Sequence, residues 1–449
     1  MKLQLDHTHL MAPNIGSSGV SPAAFDQHHA SRDAAADAVL ARSGDDLGFL
    51  TLPETDAHAR AVEAILHERR TTPRSLLVLG IGGSSLGPRA LTDALGPERS
   101  GMALGSVHHV DNADPRTLHR ALSALDPQTT LVNVISKSGG TVETLAIYQR
   151  VLDWLQAAPG GAEGRVIHTT DPLGGFLREQ AETRGIDTLS IPASVGGRFS
   201  VFTPVGLLPA RFAGLDMQAL LSGARMALED GRSRRGDSLA ARCASLHHLL
   251  TTEQGLPITA WMPYADALAT VGAWFVQLWA ESLGKPEITA PTPLRAVGAT
   301  DQHSQLQLWM EGPRDKHIWF VEVDEFDHDD PIRVETPARN DLGHLDGKPL
   351  GALLHAERRA TALALAEVGV PNATLRLPRI DEESLGCLLM TLQLQTAIAG
   401  ELWGIDAFNQ PGVEAGKRFI HGLMGRADHA SERARLEASE AAMTPFKHS

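Results

Sequence analysis

Gln277 and Glu281 stand four residues apart in "WFVQLWAESLGKP" (274–286), a largely apolar and aromatic stretch that reads as one short helix. Positions i and i+4 share a helix face, so the amide and the carboxylate point at the same place. Gly284 and Pro286 mark the C-terminal stop. A carboxylate in that last turn sits at the negative end of the helix dipole, where an anion is disfavoured. Such an acid is either a tolerated surface residue or a carboxylate kept basic for proton transfer.

Two glycine-rich segments offer a place for an anion. In "NVISKSGGTVETL" a strand ends at Ser136, and Lys137-Ser138-Gly139-Gly140-Thr141 leads into a helix. Backbone N–H groups at a helix start, glycines and three hydroxyls make a cradle suited to a phosphate monoester. Ordinary N-capping by Ser138 or Thr141 accounts for the same residues. In "LVLGIGGSSLGP" Gly80, Gly82 and Gly83 follow a strand directly, and Ser84 adds a hydroxyl. It is neither a dinucleotide fingerprint, because Ser85 stands where Gly or Ala is needed, nor a Walker A loop, which ends in GK[ST]. A tight strand–helix turn explains it equally well.

Three further segments are polar without looking like surface. "SVGGRFSVFTPVGLLPA" (194–210) sets Arg198 between two glycines and an apolar helix. "GATDQHSQLQLW" (298–309) places His303 at a helix start, and "FNQPGVEAGKRF" (408–419) groups Gln410, Glu414 and Lys417, the first two one helical turn apart. A lone His or Lys in such settings is more often structural.

These residues need a scaffold. "SLLVLG", "SVHHVDN", "TLVNVIS", "RVIHTTD" and "TLSIP" are short β-branched runs between residues 75 and 192, separated by helical patterns at 114–125 and 141–156. Near-continuous apolar strands alternating with helices predict a parallel sheet buried on both faces. The alternation returns in "PITAWMPY" (257–264), "KHIWFVEVDEF" (316–326) and "ATLRLPRI" (373–380). The expected fold is α/β: an N-terminal helical segment (1–70), a first α/β domain with the cradle (71–210), and a second with the acid and a helical tail (211–449). Ligands of open α/β sheets bind where strands end and helices begin, which is where both glycine loops fall.

The 449 residues are 43% hydrophobic, enough for more than one core, and a formal net charge of −14 argues against nonspecific nucleic-acid or anionic-membrane binding. An anionic ligand must therefore be held by local donors. Cys243 and Cys387 have no zinc or disulfide spacing. The acidic 324–349 segment reads as a solvated loop rather than a metal site, and His7/His9 and the pairs at 108–109 and 247–248 are read the same way. With no signal-like apolar core at the start and no run of ~18–20 uninterrupted apolar residues, a cytoplasmic location is expected.

Taken together, "GIGGSSLGP", "SKSGGTVETL", "GGRFSVFTPVGLLP", "ESLGKP", "DQHSQLQ" and "QPGVEAGKR" resemble, in order, the motifs of the glucose-6-phosphate isomerase (phosphoglucose isomerase) family over residues 75–420. "PNATLRLPRIDEESLG" (371–386) is similar to its shorter bacterial form. The resemblance implies two tandem sugar-isomerase-type domains and aldose–ketose isomerisation of glucose 6-phosphate and fructose 6-phosphate. Glu281 matches the base that moves a proton between C2 and C1 through an enediolate, and its apolar, dipole-opposed setting should raise its basicity. His303 matches the residue assisting ring opening, supplied in the family by the neighbouring subunit, which implies a homodimer with shared sites. Lys417 matches the lysine near the ring and O1 oxygens, and Arg198 would stabilise the enediolate charge. Ser136, Ser138, Thr141 and the Lys137 backbone N–H would hold the phosphate; Gly83, Ser84, Gln277 and Gln410 match substrate-lining positions. No metal or organic cofactor is implied.

Against the family pattern, Asn409 stands in place of the usual Asp, the cradle carries Gly139-Gly140, and about 30 residues follow Lys417, so the dimer contacts of the longer C-terminal extension of larger members are not expected here. A dual phosphoglucose/phosphomannose isomerase and a non-catalytic sugar-phosphate-binding regulator are the competing readings. A regulator needs the cradle but not an acid–base pair.

Overall fold

The computed structural model describes residues 3–44, 46–68, 73–96, 103–285, 290–335 and 341–443. Pro286, expected to stop the Glu281 helix, and residues 336–340 of the acidic loop lie outside them. The chain divides into two compact units, Met1–Ala407 and Phe408–Ser449.

The first unit is built on two five-stranded sheets. Its strands are β1 (Gln4–Asp6), β2 (Ser75–Leu79), β3 (Ser106–Val110), β4 (Thr130–Ser136), β5 (Val166–Thr170), β6 (Asp187–Ser190), β7 (Ile258–Pro263), β8 (Thr292–Arg295), β9 (Lys316–Glu325) and β10 (Asn372–Arg379). One sheet has the order β3-β2-β4-β5-β6 and is parallel throughout. The other has the order β1-β10-β9-β7-β8, parallel except for β1, which pairs antiparallel with β10. The two expected α/β sheets are present. Beyond the expectation, the N-terminal helical segment contributes an edge strand to the second sheet.

The helices that bear on the site and core are α1 (Leu86–Leu95), α2 (Pro115–Ser123), α3 (Val142–Gln156), α4 (Met217–Arg234), α5 (Leu239–Thr252), α6 (Ala269–Leu283), α7 (Gln302–Glu311) and α8 (Glu382–Trp403). Every residue of β4 is buried, as a central parallel strand covered on both faces requires. Leu77, Leu79, Val132 and Val134 pack against Ile147, Tyr148, Val151 and Leu155 of α3. α8 packs against α4 and α5. By length and composition α8 could cross a membrane, but 89% of its most apolar window is buried, so it is a core helix.

The histidine pairs are not loop residues, contrary to expectation. His108 and His109 lie on β3, and His247 and His248 on α5. His247 stacks on Trp319 with ring centroids 4.2 Å apart and lies 5.1 Å from His317. Aromatic neighbours on a buried helix face, rather than solvent, therefore set the environment of His247. Among the described residues no three His, Cys, Asp or Glu side chains gather in a group that could hold a metal ion.

The second unit contains α9 (Glu414–Leu423) and α10 (Ala430–Ala442), which pack against each other.

Candidate active site

In the first sheet the chain leaves β2 for β3 on one side, then crosses to β4 and continues outward to β5 and β6. The connections after β2 and β4 therefore run in opposite directions, and a crevice opens between their C-terminal ends. The loop after β2 carries Gly82, Gly83 and Ser84; the loop after β4 carries Lys137 to Thr141.

In the second of these loops Thr141 is the N-cap residue of α3, yet its side chain makes no capping hydrogen bond. Its hydroxyl instead lies 2.9 Å from Ser136 Oγ, while Ser138 Oγ accepts only a long 3.3 Å bond from Gly140 N. Capping does not explain these hydroxyls. Gly139 has φ +66°, so the turn folds back and the chain enters α3 with the first-turn N–H groups that no helix can satisfy internally. The Lys137 side chain turns elsewhere: Nζ donates to Ala193 O at 2.7 Å and Val195 O at 2.9 Å. Burial draws its pKa below the usual lysine value, and Asp171 partly opposes that.

The β2 loop touches the arginine segment. A Cβ on Gly83 would lie 2.3 Å from Gly197 C and 2.7 Å from Arg198 N, so only glycine permits this approach. Gly82 has φ +58° and faces the Gln277 amide.

Arg198 is only 2% exposed and is anchored on three edges. Nε donates to Ser282 Oγ at 2.7 Å, Nη2 donates to Ala407 O at 2.6 Å, and Nη1 stands 3.3 Å from Glu281 Oε1. Burial lowers its pKa, while the charges of Glu281 and Asp406 act the other way. Gln277 Nε2 donates to the other Glu281 oxygen at 3.0 Å, as their i, i+4 spacing foretold. The carboxylate thus faces an amide and a guanidinium rather than the aromatic side chains of its own helix. α6 ends at Leu283 with Gly284 as its C-cap, and Lys285 Nζ donates to Glu281 O at 3.1 Å, placing the cation expected at a helix C-terminus just beyond it.

The phosphoglucose isomerase family pattern matches residues 69–315 and 362–444. The chain belongs to the phosphoglucose isomerase family. It is 46% identical over 392 residues to a glucose-6-phosphate isomerase of Rubrobacter xylanophilus, covering 85% of this chain and 90% of that one. With a glucose-6-phosphate isomerase of Thermus thermophilus it shares 41% identity over 404 residues, 88% of this chain and 95% of the relative. A crystal structure of a hypothetical protein, also from Thermus thermophilus, superposes with a TM-score of 0.85 at 39% identity, covering 94% of this chain and all of that one. The fold is also that of a glucose-6-phosphate isomerase crystal structure from Chlamydia trachomatis, with a TM-score of 0.82 at 23% identity over 98% of this chain and 92% of that one.

Within this family member the first unit carries Gly83 and Ser84 on the loop after β2 and Ser136, Lys137, Ser138 and Thr141 at the end of β4 and in the loop after it, and it joins Arg198, Gln277 and Glu281 beside Gly82 and Gly83. His303 lies on the exposed first turn of α7, with no hydrogen bond to Glu281 or Arg198. Gln410 and Lys417 belong to the second unit. There Lys417 Nζ pairs with Glu414 Oε1 at 2.8 Å, a contact that lowers the Glu414 pKa. Gln410 is not on the helix with Glu414: it precedes a 3₁₀ turn (Pro411–Val413), and α9 begins at Glu414.

Sequence reading missed Ser282, the Ala407 carbonyl, Asp406 and the Lys137 ammonium. The Glu281–Ser282 adjacency was a signal for the first, since a serine in the last turn of an apolar helix is out of place. Backbone acceptors carry no sequence signal. A cavity of about 830 Å³ between α2 and α3, lined by Leu118, Leu122 and Trp154, contains none of these residues.

Proposed function

We propose that the chain interconverts glucose 6-phosphate and fructose 6-phosphate through ring opening and a cis-enediolate, the reaction of glycolysis and gluconeogenesis. The observation that carries this is the contact of Arg198 with Glu281, on a segment that Lys137 ties to the hydroxyl-lined cradle. An aldose–ketose shift needs a base to move one proton and a cation to hold the resulting oxyanion. Relatives at 46% and 41% identity carry the name glucose-6-phosphate isomerase, so neither the dual isomerase nor the regulator is favoured.

In this reading Ser136, Ser138, Thr141 and the Lys137 N–H bind the phosphate, while Gly83, Ser84, Gln277 and Gln410 line the sugar. Glu281 takes the C2 proton of the open aldose and returns it to C1. Arg198 faces the enediolate oxygens. His303 and Lys417 serve ring opening, His303 from the partner subunit of a homodimer. The exposure of the His303 imidazole supports that assignment. No metal or organic cofactor enters these steps. We assign the enzyme to the cytoplasm, where Cys243 and Cys387 remain buried thiols.

The test is to incubate the protein with fructose 6-phosphate and chelator while following glucose 6-phosphate and mannose 6-phosphate separately. Glucose 6-phosphate alone is expected. Both products would indicate the dual enzyme, and phosphosugar binding without either would indicate the regulator.

A further inference from the structure

A lysine inside a phosphate-binding turn is read first as a contact to the phosphate. Lys137 does something different. Its ammonium donates to the carbonyls of Ala193 and Val195, so two of its three N–H bonds are committed to the chain segment that runs into Arg198. That segment is gripped from its other side as well, where Gly48 N donates to Ser194 O at 3.2 Å. It then turns through Val195 N to Pro192 O at 3.0 Å and Phe199 N to Gly196 O at 2.9 Å. Gly196 and Gly197 follow, held downstream where Ser200 Oγ donates to Gly197 O at 2.7 Å and Gly83 packs against Gly197. The Lys137 anchors, three and five residues upstream, therefore hold the N-terminal side of the segment from which Arg198 springs.

We propose that the Lys137 ammonium is a positioning group that fastens the phosphate-holding turn to residues 193–198. It thereby sets Arg198 against Glu281 and the enediolate. This rests on the isomerase reading and extends it: phosphate binding and charge stabilisation share one mechanical tie. The cradle keeps its own donors, because the hydroxyls of Ser136, Ser138 and Thr141 and the backbone N–H groups do not depend on the ammonium. Arg198 keeps its anchors on Ser282 and Ala407, but these fix the guanidinium end and not the backbone from which it springs.

The prediction is a split between kcat and anion binding. Misplacing a catalytic group by ~1 Å costs up to ~10²-fold, so Lys137→Met should lower kcat about tenfold or more. The inhibition constant of inorganic phosphate, measured as a competitive inhibitor, should change by less than about threefold. In Lys137→Arg the guanidinium fork can reach both carbonyls, so kcat should stay within about threefold of wild type with phosphate inhibition unchanged. A phosphate inhibition constant raised about tenfold in Lys137→Met with kcat intact would make the ammonium a phosphate contact and overturn the proposal. Wild-type kcat in Lys137→Met, or Lys137→Arg as slow as Lys137→Met, would also overturn it. Should Lys137→Met not fold, Lys137→Arg still decides, because a lysine touching phosphate predicts a shifted phosphate constant there. Failure of the isomerase reading looks different: the wild type itself would not turn over fructose 6-phosphate.

Discussion

Arg198 Nη1 and Glu281 Oε1 stand 3.3 Å apart, with the guanidinium 2% and the carboxylate side chain 26% exposed. The buried cation is held rigidly and the acid reaches toward solvent, which suits a fixed electrostatic partner and a base that must meet its substrate. Three acceptors locate the arginine and one amide locates the second carboxylate oxygen. Positioning of this kind supplies catalysis because no reorganisation is needed when charge develops.

Ser282→Ala removes the acceptor for Arg198 Nε and leaves a buried donor whose desolvation costs about 1–3 kcal/mol. Both a lower denaturation midpoint and a lower kcat are expected, with KM changed less than kcat. Steady-state kinetics beside urea unfolding read the two effects separately. A variant with wild-type kcat would show that the guanidinium is held without Ser282.

Thr141→Ala removes one cradle hydroxyl. A hydrogen bond to a charged group is worth about 1.5–3 kcal/mol, so KM should rise roughly tenfold or more while kcat changes little. An unchanged KM together with an unchanged inhibition constant for a phosphosugar analogue would remove Thr141 from the cradle.

If His303 crosses a two-fold interface, Glu281→Gln and His303→Ala are each slow alone but complement one another when unfolded and refolded together. Random pairing of closed dimers gives half heterodimers with one intact site each, so about a quarter of wild-type activity should return. No recovery on mixing would place His303 in the same chain's site.

The buried histidines predict an acid-sensitive fold. Burial lowers the pKa of His28 to about 4 and of His317 to about 3, and drives that of His247 well below its ordinary value. The folded state holds these rings neutral, whereas the unfolded chain protonates them near ~6.5, so unfolding takes up protons. Stability is therefore full above about pH 6.5 and falls as pH drops toward the folded values. Between roughly pH 6.5 and 5 most carboxylates are still ionised, so the slope there belongs to the histidines. Urea midpoints should fall across that window and fall less steeply in His317→Phe. Equal slopes in the two proteins would refute the assignment.

Much of the candidate site was legible because its residues lie in loops of unusual composition. Ser-Lys-Ser-Gly-Gly-Thr after an apolar strand and Gly-Gly-Arg before an apolar helix break the apolar pattern around them, although N-capping explained the first equally well. Gln277 and Glu281 followed from helical periodicity alone. What escaped was set by tertiary contact. β1 and β8 are short edge strands, and β8 contains Pro293, so neither presents a run that periodicity can find. The direction of the Lys137 side chain depends on carbonyls more than fifty residues away. The His247 environment depends on Trp279 and Trp319. Glu281 was expected among aromatics because its helix is aromatic, yet the helix turns those rings inward and the acid toward Arg198.

The most direct measurement compares Glu281→Gln with wild type in fructose 6-phosphate turnover and in inhibition by a phosphosugar analogue. The amide keeps the shape and loses the base, so turnover should fall by at least ~10²–10⁴ while the analogue still binds. More than a tenth of wild-type turnover in the variant would contradict Glu281 as the group that moves the proton.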